Sequence, residues 1–428
     1  MVKRSLAKSK GELVAALDIG STKTCCFVAR VGDARSPGAQ GALSGVRILG
    51  IGHQVAGGVR NGAVIDMDAA ETAIRRAVHA AETMARETVT RVFVNLSGGY
   101  PMSRTFGVEV AIDGHEVADG DLRRILGHGR SVEIEDDRDL IHSIPVGFSI
   151  DGNRGIRDPR GMAGQKLGAH IHLVTAASGP VRNLSMVVQR CHLDIDGYVA
   201  SPYASGLSCL VEDEMDLGVT VIDMGGGTTT VAVFFDGSVV FTDVVPVGGG
   251  HVTNDIARGL STPIAEAERL KTLHGCATLS PLDDRETLEV PQVGEEADAQ
   301  PNQVQKSMLI RIIQPRLEEI FEMVKARLEQ SGFDKIAGRR AVLTGGASQM
   351  PGLRDLAQRI LDKQVRLGRP IQINGLADAA TGPAFSTCAG LLAYAVDPGF
   401  DVPEIGRADK VEPAGMLGKV GSWLRENF

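Results

Sequence analysis

The chain has 428 residues, 43% of them hydrophobic and 23% charged, and this length and composition predict a globular protein of two to four compact units. Its net charge of -8 excludes a general nucleic-acid-binding surface, because such a surface needs a basic stripe or a basic domain. The six cysteines show no CxxC and no paired zinc spacing, which argues against a disulfide framework or a structural zinc site and favours a reducing cytosol.

A strand predicted at 13–17 ends in the first of three glycine turns. The stretch LVAALDIGSTKTCCFVAR has the pattern of strand, turn and second strand, and its turn contains Asp18, Gly20, Ser21, Thr22 and Lys23. Glycines let backbone amides approach phosphate oxygens, hydroxyl groups add donors, and an aspartate at the strand end can hold Mg²⁺ through water. The turn therefore predicts a phosphate site.

A strand-rich region follows from Arg91 and predicts an inserted unit. The sequence HIHLVTA predicts one strand, and hydrophobic side chains alternate along another at Ile144, Val146, Phe148 and Ile150. His170 and His172 share a face of the HIHLVTA strand, which is compatible with a metal pair. No third ligand lies nearby, so packing or solvent exposure is the favoured interpretation.

The second glycine turn repeats the first. In VTVIDMGGGTTTVAVFFDGSVVFTDVV a strand ends at Asp223, and Asp236-Gly237 closes a two-residue hairpin. The turn between them contains Gly225, Gly226, Gly227 and Thr228. Asp18 and Thr24 recur here at a constant offset of 205 residues, which indicates two related halves that face each other. Two such turns would clamp one polyphosphate, with the two aspartates holding Mg²⁺ through water.

A third turn follows the same pattern. The stretch AVLTGGASQMPGL, at 341–353, predicts a strand, the turn Gly345-Gly346, and a helix beginning near Gly352. Upstream, 248–250 is a glycine triplet ahead of a predicted helix, and its amides suit an anion. The chain has no GxxxxGK[ST], which excludes a P-loop, and no GxGxxG opening a βαβ unit, which leaves a dinucleotide fold without support.

A helix is predicted in IIQPRLEEIFEMVKARLEQSG. Pro315 suits its first position and Gly332 its C-terminal end. Arg316 would then lie in the first turn, where a cation opposes the helix dipole. We expect this arginine to serve either nearby glutamate side chains or a partner.

The chain ends in a predicted linker and an amphipathic helix. Pro, Gly and mixed charge in 396–414 are typical of a flexible linker, whereas winding 415–428 as a helix gathers apolar residues within an arc of about 140°. These residues are Met416, Leu417, Val420, Trp423, Leu424 and Phe428. The segment is too short to span a bilayer, and no run of about 18 apolar residues occurs elsewhere, so the hypothesis is a peripheral membrane helix that holds weakly as a single copy. Docking on the protein's own core and a weak partner contact are the alternatives.

In this order the motifs resemble the actin, Hsp70 and sugar-kinase superfamily, and within it the FtsA family of bacterial cell-division proteins. The resemblance rests on LDIGSTKTCCFVA, GYVASPYASGLSCLVEDEMDLGVTVIDMGGGTT, AEAERLKTLHGCA, PRLEEIFEMVKARLEQSG and VLTGGASQMPGL. It implies an α/β, actin-like (ribonuclease H-like) fold of duplicated domains around a nucleotide cleft. The implied subdomains are 1A at 12–88 and 176–212, an inserted α+β 1C at 89–175, 2A at 213–247 and 333–395, and an inserted 2B at 248–332.

The resemblance also implies a site for ATP and Mg²⁺, with the first two turns holding the phosphates from opposite sides. Gly249 and Gly250 would line the phosphate and ribose edge. Glu266 and Lys271 would flank ribose and adenine, although charges at this spacing are also common on a solvated helix face. The adenosine motif would comprise Gly345, Gly346 and Ala347. No residue is an unambiguous candidate to orient an attacking water, so tight ATP binding with at most slow hydrolysis is expected.

The implied function is that of an adaptor that polymerises and ties FtsZ filaments to the cytoplasmic face of the inner membrane at the division site. The C-terminal tail peptide of FtsZ would bind 2B at Arg316, assisted by Lys306 and Arg311, and later division proteins would be recruited through 1C. Polymerisation would strengthen a weak membrane helix, because tethered copies raise the effective concentration of the others. The alternatives are a pilus-assembly actin-like protein and a small-molecule kinase of the same superfamily.

Overall fold

The computed structural model describes residues 11–32, 43, 45–130, 134–294, 300–371 and 373–401. Residues 402–428 lie outside this part of the chain, and with them the predicted membrane contacts Met416, Leu417, Val420, Trp423, Leu424 and Phe428. None of the helices in the described part combines the length and the hydropathy of a membrane-spanning segment.

The first half of the chain opens with the predicted pair of strands around a glycine turn. Its elements are β1 (Leu13–Ile19), β2 (Lys23–Val31), β3 (Val46–Val55), the short strands β4 (Val59–Arg60) and β5 (Ala63–Val64), α1 (Met67–Ala85) and β6 (Arg91–Leu96). Asp66 caps α1, because its Oδ1 accepts hydrogen bonds from the amides of Asp68 and Ala69. Glycines in β3 let this helix approach closely: a Cβ on Gly52 would come within 1.9 Å of the Ala77 carbonyl oxygen.

An inserted unit with its own core follows β6. It comprises β7 (Met102–Ala111), α2 (Asp119–Arg130), β8 (Arg138–Ile150), β9 (Asn153–Ile156) and β10 (Lys166–Ala177). The four strands form an antiparallel sheet in the order β7-β10-β8-β9. His172 is fully buried in β10, and this burial lowers its pKa to about 3, so the imidazole is neutral.

The chain then returns to the first half. The returning elements are α3 (Ser178–Arg190), β11 (Asp194–Ala200) and α4 (Ser201–Cys209). They complete a five-stranded sheet in the order β11-β6-β1-β2-β3, in which β1 pairs antiparallel with β2 and parallel with β6. The turn after β1 therefore lies at the centre of the sheet edge.

The second half repeats this arrangement. It begins with α5 (Glu212–Leu217), β12 (Val219–Met224), β13 (Thr229–Phe235) and β14 (Ser238–Val245). A region of α6 (Gly249–Gly259), α7 (Ile264–His274), β15 (Thr287–Val290), β16 (Asn302–Gln305) and α8 (Lys306–Ser331) follows. The half closes with β17 (Arg340–Thr344), α9 (Leu353–Leu361), β18 (Gln364–Leu367) and α10 (Ser386–Val396). Asp236 and Gly237 close the predicted hairpin with φ of 50° and 76°.

The two sheets have the same topology and the same register at their central hairpins. In the sheet β14-β13-β12-β17-β18, β12 pairs antiparallel with β13 and parallel with β17, as β1 does with β2 and β6. Asp18 lies opposite Cys25 and Asp223 lies opposite Thr230, so the strand pairing keeps the sequence offset. This geometry confirms the predicted duplication.

The predicted start of α8 is wrong. The helix begins at Lys306 and not at Pro315, which lies inside it. A proline in a helix interior costs about 3 kcal/mol, but buried side chains continue along the same face at Leu309, Ile310, Ile313, Leu317 and Ile320, and their packing outweighs that cost. Arg316 is therefore in the middle of the helix, and the helix-dipole argument about it does not apply. The predicted end is correct, because Gly332 adopts a left-handed φ of 74° there.

Candidate functional site

A cleft of about 440 Å³ lies between the two halves. All but one of the residues predicted to hold the nucleotide line it. They are Asp18, Gly20, Ser21, Thr22, Lys23, Asp223, Gly225, Gly226, Gly227, Thr228, Gly249, Gly250, Lys271, Gly345, Gly346 and Ala347. The exception is Glu266.

The first two glycine turns have equivalent hydrogen bonds. The amide of Gly20 donates to the Lys23 carbonyl at 2.9 Å, and the amide of Gly225 donates to the Thr228 carbonyl at 2.9 Å. A side chain at Gly20 would meet the Lys23 carbonyl oxygen at 2.8 Å, so the tight turn requires glycine. The repeated sequence thus builds the same turn twice.

The turns of the two halves contact each other across the cleft. A Cβ on Gly227 would lie 2.4 Å from Ser21 Oγ, so no side chain fits between the two turns. Within the described residues, no hydrogen bond occupies the backbone N–H of Ser21, Thr22, Gly226 or Gly227. Unpaired amides on bare backbone suit phosphate oxygens, and the site therefore fits a polyphosphate.

Two buried carboxylates face the cleft, one from each half. Burial raises the pKa of Asp18 to about 6, with nearby Lys23 lowering it and Asp223 raising it further. Burial also raises the pKa of Asp223, against the effect of hydrogen bonds from Ser205 and Thr387 and of the Lys23 charge. Paired acids that are costly to ionise in isolation fit a hydrated Mg²⁺, which would favour their charged form.

Lys23 lies beside this acidic pair. Its Nζ is 3.9 Å from Asp18 Oδ2, donates a hydrogen bond to the Ala384 carbonyl, and lies 4.0 Å from the centre of the Phe385 ring. The ammonium group is therefore held at the cleft wall by a carboxylate, a carbonyl and an aromatic face.

Gly249 and Gly250 line the cleft but do not offer their amides to a ligand. Their N–H groups donate to the carbonyls of Gly225 and Gly226, at 2.9 and 2.7 Å. The prediction that these amides bind an anion is therefore wrong as to mechanism. They bond the start of α6 to the second glycine turn, because the first amides of a helix need an acceptor and the turn supplies two carbonyls.

The rim of the cleft at α7 differs from the prediction. Lys271 Nζ donates to Glu268 Oε2 at 2.6 Å and to Thr253 Oγ1 at 2.8 Å, and Glu268 lines the cleft. Glu266 instead pairs with Arg269. Residues three apart share a helix face whereas residues five apart do not, so helical spacing from Lys271 selects Glu268.

Three further polar side chains shape the cleft and were not predicted. Asn95 Oδ1 accepts from the Ile19 amide at 2.7 Å, and its Nδ2 donates to Ser201 Oγ at 3.2 Å. Asn95, Ser201 and Thr387 all line the cleft. A polar residue inside the apolar run RVFVNL was the available signal for Asn95, since a buried amide needs partners. Ser201 and Thr387 had no local signal.

The third turn packs against the second carboxylate. Gly345 has a φ of 85°, and a Cβ there would lie 2.3 Å from Asp223 Oδ1. Glycine is required on both grounds. Gly352 immediately precedes α9, as predicted.

The three basic residues predicted to bind a partner lie on α8. Arg316 makes two hydrogen bonds to Asp255 of α6, at 2.6 and 3.2 Å, and also pairs with Glu319. Lys306 pairs with Glu286 at 2.8 Å. Arg311 is exposed. Arg316 thus pairs with nearby acidic side chains, which is one of the two roles expected for it.

Known proteins resemble the chain along its whole length. The profile of the family "Cell division protein FtsA" matches residues 220–390, and that of the "SHS2 domain inserted in FTSA" matches residues 98–175. The cell division protein FtsA of Agrobacterium fabrum is 44% identical over 430 residues, covering 99% of this chain and 97% of that protein. This chain belongs to the FtsA family of cell division proteins. The FtsA protein of Pseudomonas aeruginosa is 35% identical, and the match covers 98% of this chain and 99% of that protein. The FtsA protein of Escherichia coli K12 is 34% identical, and the match covers 97% of this chain and 98% of that protein.

Solved structures show that this FtsA family member has an actin-like fold. A PilM-PilN type IV pilus biogenesis complex matches with a TM-score of 0.61 and 16% identity, covering 90% of this chain and 99% of that one. MreB5 of Spiroplasma citri bound to ADP matches with a TM-score of 0.52 and 12% identity, covering 90% and 97%. The predicted fold class is confirmed.

Proposed function

We propose that this FtsA family member binds ATP with Mg²⁺ in the cleft and acts as an adaptor in cell division. The observation that carries the proposal is the pair of equivalent hairpin turns, each with a buried aspartate, facing one cavity of about 440 Å³. Cavities of about 300–1,000 Å³ are typical of small-ligand sites. MreB5, which has the same fold, was solved bound to ADP and to AMPPNP.

Each part of the cleft has a role in this proposal. The free amides of the two turns would bind phosphate oxygens, with Lys23 adding a positive charge. Asp18 and Asp223 would hold water molecules of the Mg²⁺ shell, and the bound cation would neutralise charge between the phosphates. Lys271 and the third turn would flank the nucleoside, and Glu268, not Glu266, would be the glutamate beside it.

Calorimetric titration with ATP and excess Mg²⁺ tests the site. We expect Asp223→Asn to lose most of the affinity, since it removes the charge that faces the cation. Asp236→Asn is the matched control: it makes the same substitution at the far end of the second hairpin, where asparagine tolerates the left-handed backbone. Equal affinity in the wild type and Asp223→Asn would reject the proposal.

Turnover is expected to be slow. Among the described residues that line the cleft, the charged side chains are Asp18, Asp223, Glu268 and two lysines. The two aspartates face the cation, and Glu268 is bonded to Thr253 and Lys271. No carboxylate is left to orient a water molecule for attack. A steady phosphate release of about 1–100 per second, the range of kinases, would contradict this expectation.

We further propose that α8 contributes to a surface for the C-terminal tail peptide of FtsZ. Arg311 is exposed. The side chains of Arg316 and Lys306 pair with acidic residues and are still 29% and 22% exposed. An acidic peptide would gain charge-assisted hydrogen bonds from them.

Fluorescence anisotropy with a labelled FtsZ tail peptide tests this surface. Arg311→Glu and Arg316→Glu should each weaken binding several-fold, while Arg123→Glu, an exposed reversal on α2 of the inserted unit, should not. Circular dichroism must show native helix content for Arg316→Glu, because that variant also breaks the pair with Asp255. Unchanged peptide affinity in both α8 variants would exclude this surface.

The remaining parts of the proposal rest on the sequence and on membership of the family. The C-terminal helix would attach the protein peripherally to the inner membrane, filaments of ATP-bound protein would hold FtsZ there, and later division proteins would bind the inserted unit. Trp423 is the only tryptophan of the chain, so a blue shift of its fluorescence on adding anionic vesicles reports membrane contact directly. No shift under polymerising conditions would remove the membrane part of the proposal.

A further inference from the structure

Asp223 is held by two hydroxyl groups that come from two different helices. Ser205 Oγ of α4 donates to Asp223 Oδ2 at 2.5 Å, and Thr387 Oγ1 of α10 donates to the same oxygen at 2.8 Å. All three residues are buried. Both hydroxyl protons are used in these bonds, so the two hydroxyls, which are 3.0 Å apart, have no proton left for each other.

The two hydroxyls come from two helices that pack closely against each other. A Cβ on Gly390 of α10 would lie 1.6 Å from the Ala204 carbonyl oxygen of α4, so the two backbones are in direct contact. α10 also packs against β1 and β6 of the first sheet, whereas Asp223 belongs to the second. The carboxylate is therefore fixed by a rigid pair of helices at the boundary between the halves.

Among the described residues, no hydroxyl group supports Asp18 in this way. Its polar neighbour is Lys23, with 3.9 Å between Nζ and Oδ2, which is an ion pair without a hydrogen bond. With Oδ2 of Asp223 occupied, its Oδ1, next to Gly345 at the cleft wall, is the oxygen available to a ligand. The two halves repeat the carboxylate but not its environment.

We propose that Ser205 and Thr387 are positioning residues that aim Asp223 at the hydrated Mg²⁺ and so set the metal dependence of nucleotide binding, an inference that rests on the proposed ATP site. A carboxylate that accepts hydrogen bonds from metal-bound water must have a fixed orientation, and outer partners of this kind supply it. Asp223 then needs no rearrangement when the cation arrives.

The test is calorimetry with AMPPNP, performed once with excess Mg²⁺ and once with EDTA. Thr387→Val keeps the shape but removes the hydroxyl, and we expect it to weaken binding about tenfold in Mg²⁺ and to leave it unchanged in EDTA. Thr387→Ser restores the donor and should stay within about twofold of the wild type. Ser205→Ala should behave like Thr387→Val.

The matched control is Ser386→Ala. Ser386 is the preceding residue on α10, is also buried, and its hydroxyl bonds Thr344 Oγ1 at 2.7 Å and not Asp223. Its removal costs a buried hydrogen bond without touching the carboxylate, so the ratio of affinities in Mg²⁺ and EDTA should not change.

The outcomes separate this inference from the proposed function. A wild type that binds AMPPNP equally with and without Mg²⁺, or not at all, refutes the metal site itself. A wild type with strong metal dependence, together with a Thr387→Val or Ser205→Ala variant that keeps it or that loses affinity equally in Mg²⁺ and EDTA, refutes the positioning role alone. Should Thr387→Val fail to fold, Ser205→Ala decides the question.

Discussion

Gly226 of the second half lies directly against Thr22 of the first: a Cβ on Gly226 would come 2.3 Å from Thr22 Cγ2 and 2.6 Å from its Oγ1. The two residues belong to the facing glycine turns, so a side chain at Gly226 would push the two turns apart. Glycine is needed at this position by the partner turn rather than by its own backbone angles.

We expect Gly226→Ala to hold the two turns apart and to reduce ATP affinity at least tenfold, since the amides would no longer reach one polyphosphate from both sides. Thermal stability should change less than affinity. Gly127→Ala, in the middle of α2 with nothing within 4 Å of the added Cβ, is the control and should bind ATP normally. Calorimetry on both variants makes the comparison, and normal binding by Gly226→Ala would show that the turns do not share a ligand.

The pKa of Asp18, raised from 3.8 to about 6, predicts opposite effects of pH on binding and on stability. Below about pH 6 the carboxyl takes up a proton in the free protein, so affinity for ATP with Mg²⁺ should fall on acidification through that value. Because the folded pKa exceeds the unfolded one, the folded state binds the proton more tightly, and the cost of ionised Asp18 is present above pH 6 and relieved as the pH falls towards 3.8.

Asp18→Asn should therefore stabilise the free protein at pH 8, by up to about 3 kcal/mol, while abolishing metal-dependent binding. The gain should shrink towards pH 4. Urea unfolding of both proteins at pH 8 and pH 5 measures it, and a variant less stable than the wild type at pH 8 would contradict the burial cost assigned to this carboxylate.

The α7 rim offers a matched pair of glutamates two residues apart. Glu268→Ala should weaken ATP binding several-fold, because it frees Lys271 from the position in which Glu268 and Thr253 hold it. Glu266→Ala should have no effect on binding, since that side chain pairs with Arg269 away from the cleft. Loss of affinity in Glu266→Ala, with normal binding in Glu268→Ala, would show that Glu266 and not Glu268 contacts the nucleotide.

Asp401 is the common acceptor of a buried hydrogen-bond network that includes β8 of the inserted unit. Its Oδ2 accepts from Tyr394 OH at 2.8 Å and from His142 Nδ1 at 2.6 Å, and its Oδ1 accepts from the Ser143 amide at 3.0 Å. Because His142 Nε2 accepts a hydrogen bond from the Ala200 amide, the proton of the imidazole is on Nδ1.

Asp401→Ala leaves several buried donors unpaired and should lower the free energy of unfolding by about 3 kcal/mol. Asp378→Ala, at an exposed position, should change it by less than about 0.5 kcal/mol. Urea unfolding followed by circular dichroism provides the measurement. Similar values for the two variants would show that the network does not stabilise this junction.

The pattern of neighbouring residues predicted those parts of the site that are built from one short stretch of the chain. Both hairpins, their aspartates and the third turn are each built within about a dozen residues, and glycine spacing indicated them correctly. Ser205 and Thr387 could not be predicted in this way, because they reach Asp223 from 18 and 164 residues away along the chain. Such contacts depend on how helices pack between the sheets.

Two errors had identifiable physical causes. Pro315 favours a helix start by local pattern, but the buried face from Leu309 to Ile320 continues through it, because packing outweighs the local signal. The glycine triplet favours an anion site by local pattern, but the amides of Gly249 and Gly250 donate to carbonyls of the chain itself. In both places tertiary partners, which a linear pattern does not contain, decided the outcome.

Hydrogen bonds hold the helix α6 at its first turn and at Asp255. Its first amides bond the carbonyls of Gly225 and Gly226, and further along it Asp255 grips Arg316 of α8 with two hydrogen bonds. Residues 249–255 of this eleven-residue helix thus connect the cleft to Arg316 of α8. Because hydrogen bonds join the second turn to α6 and α6 to Arg316, we expect a displacement of the second turn to change the position of the guanidinium group.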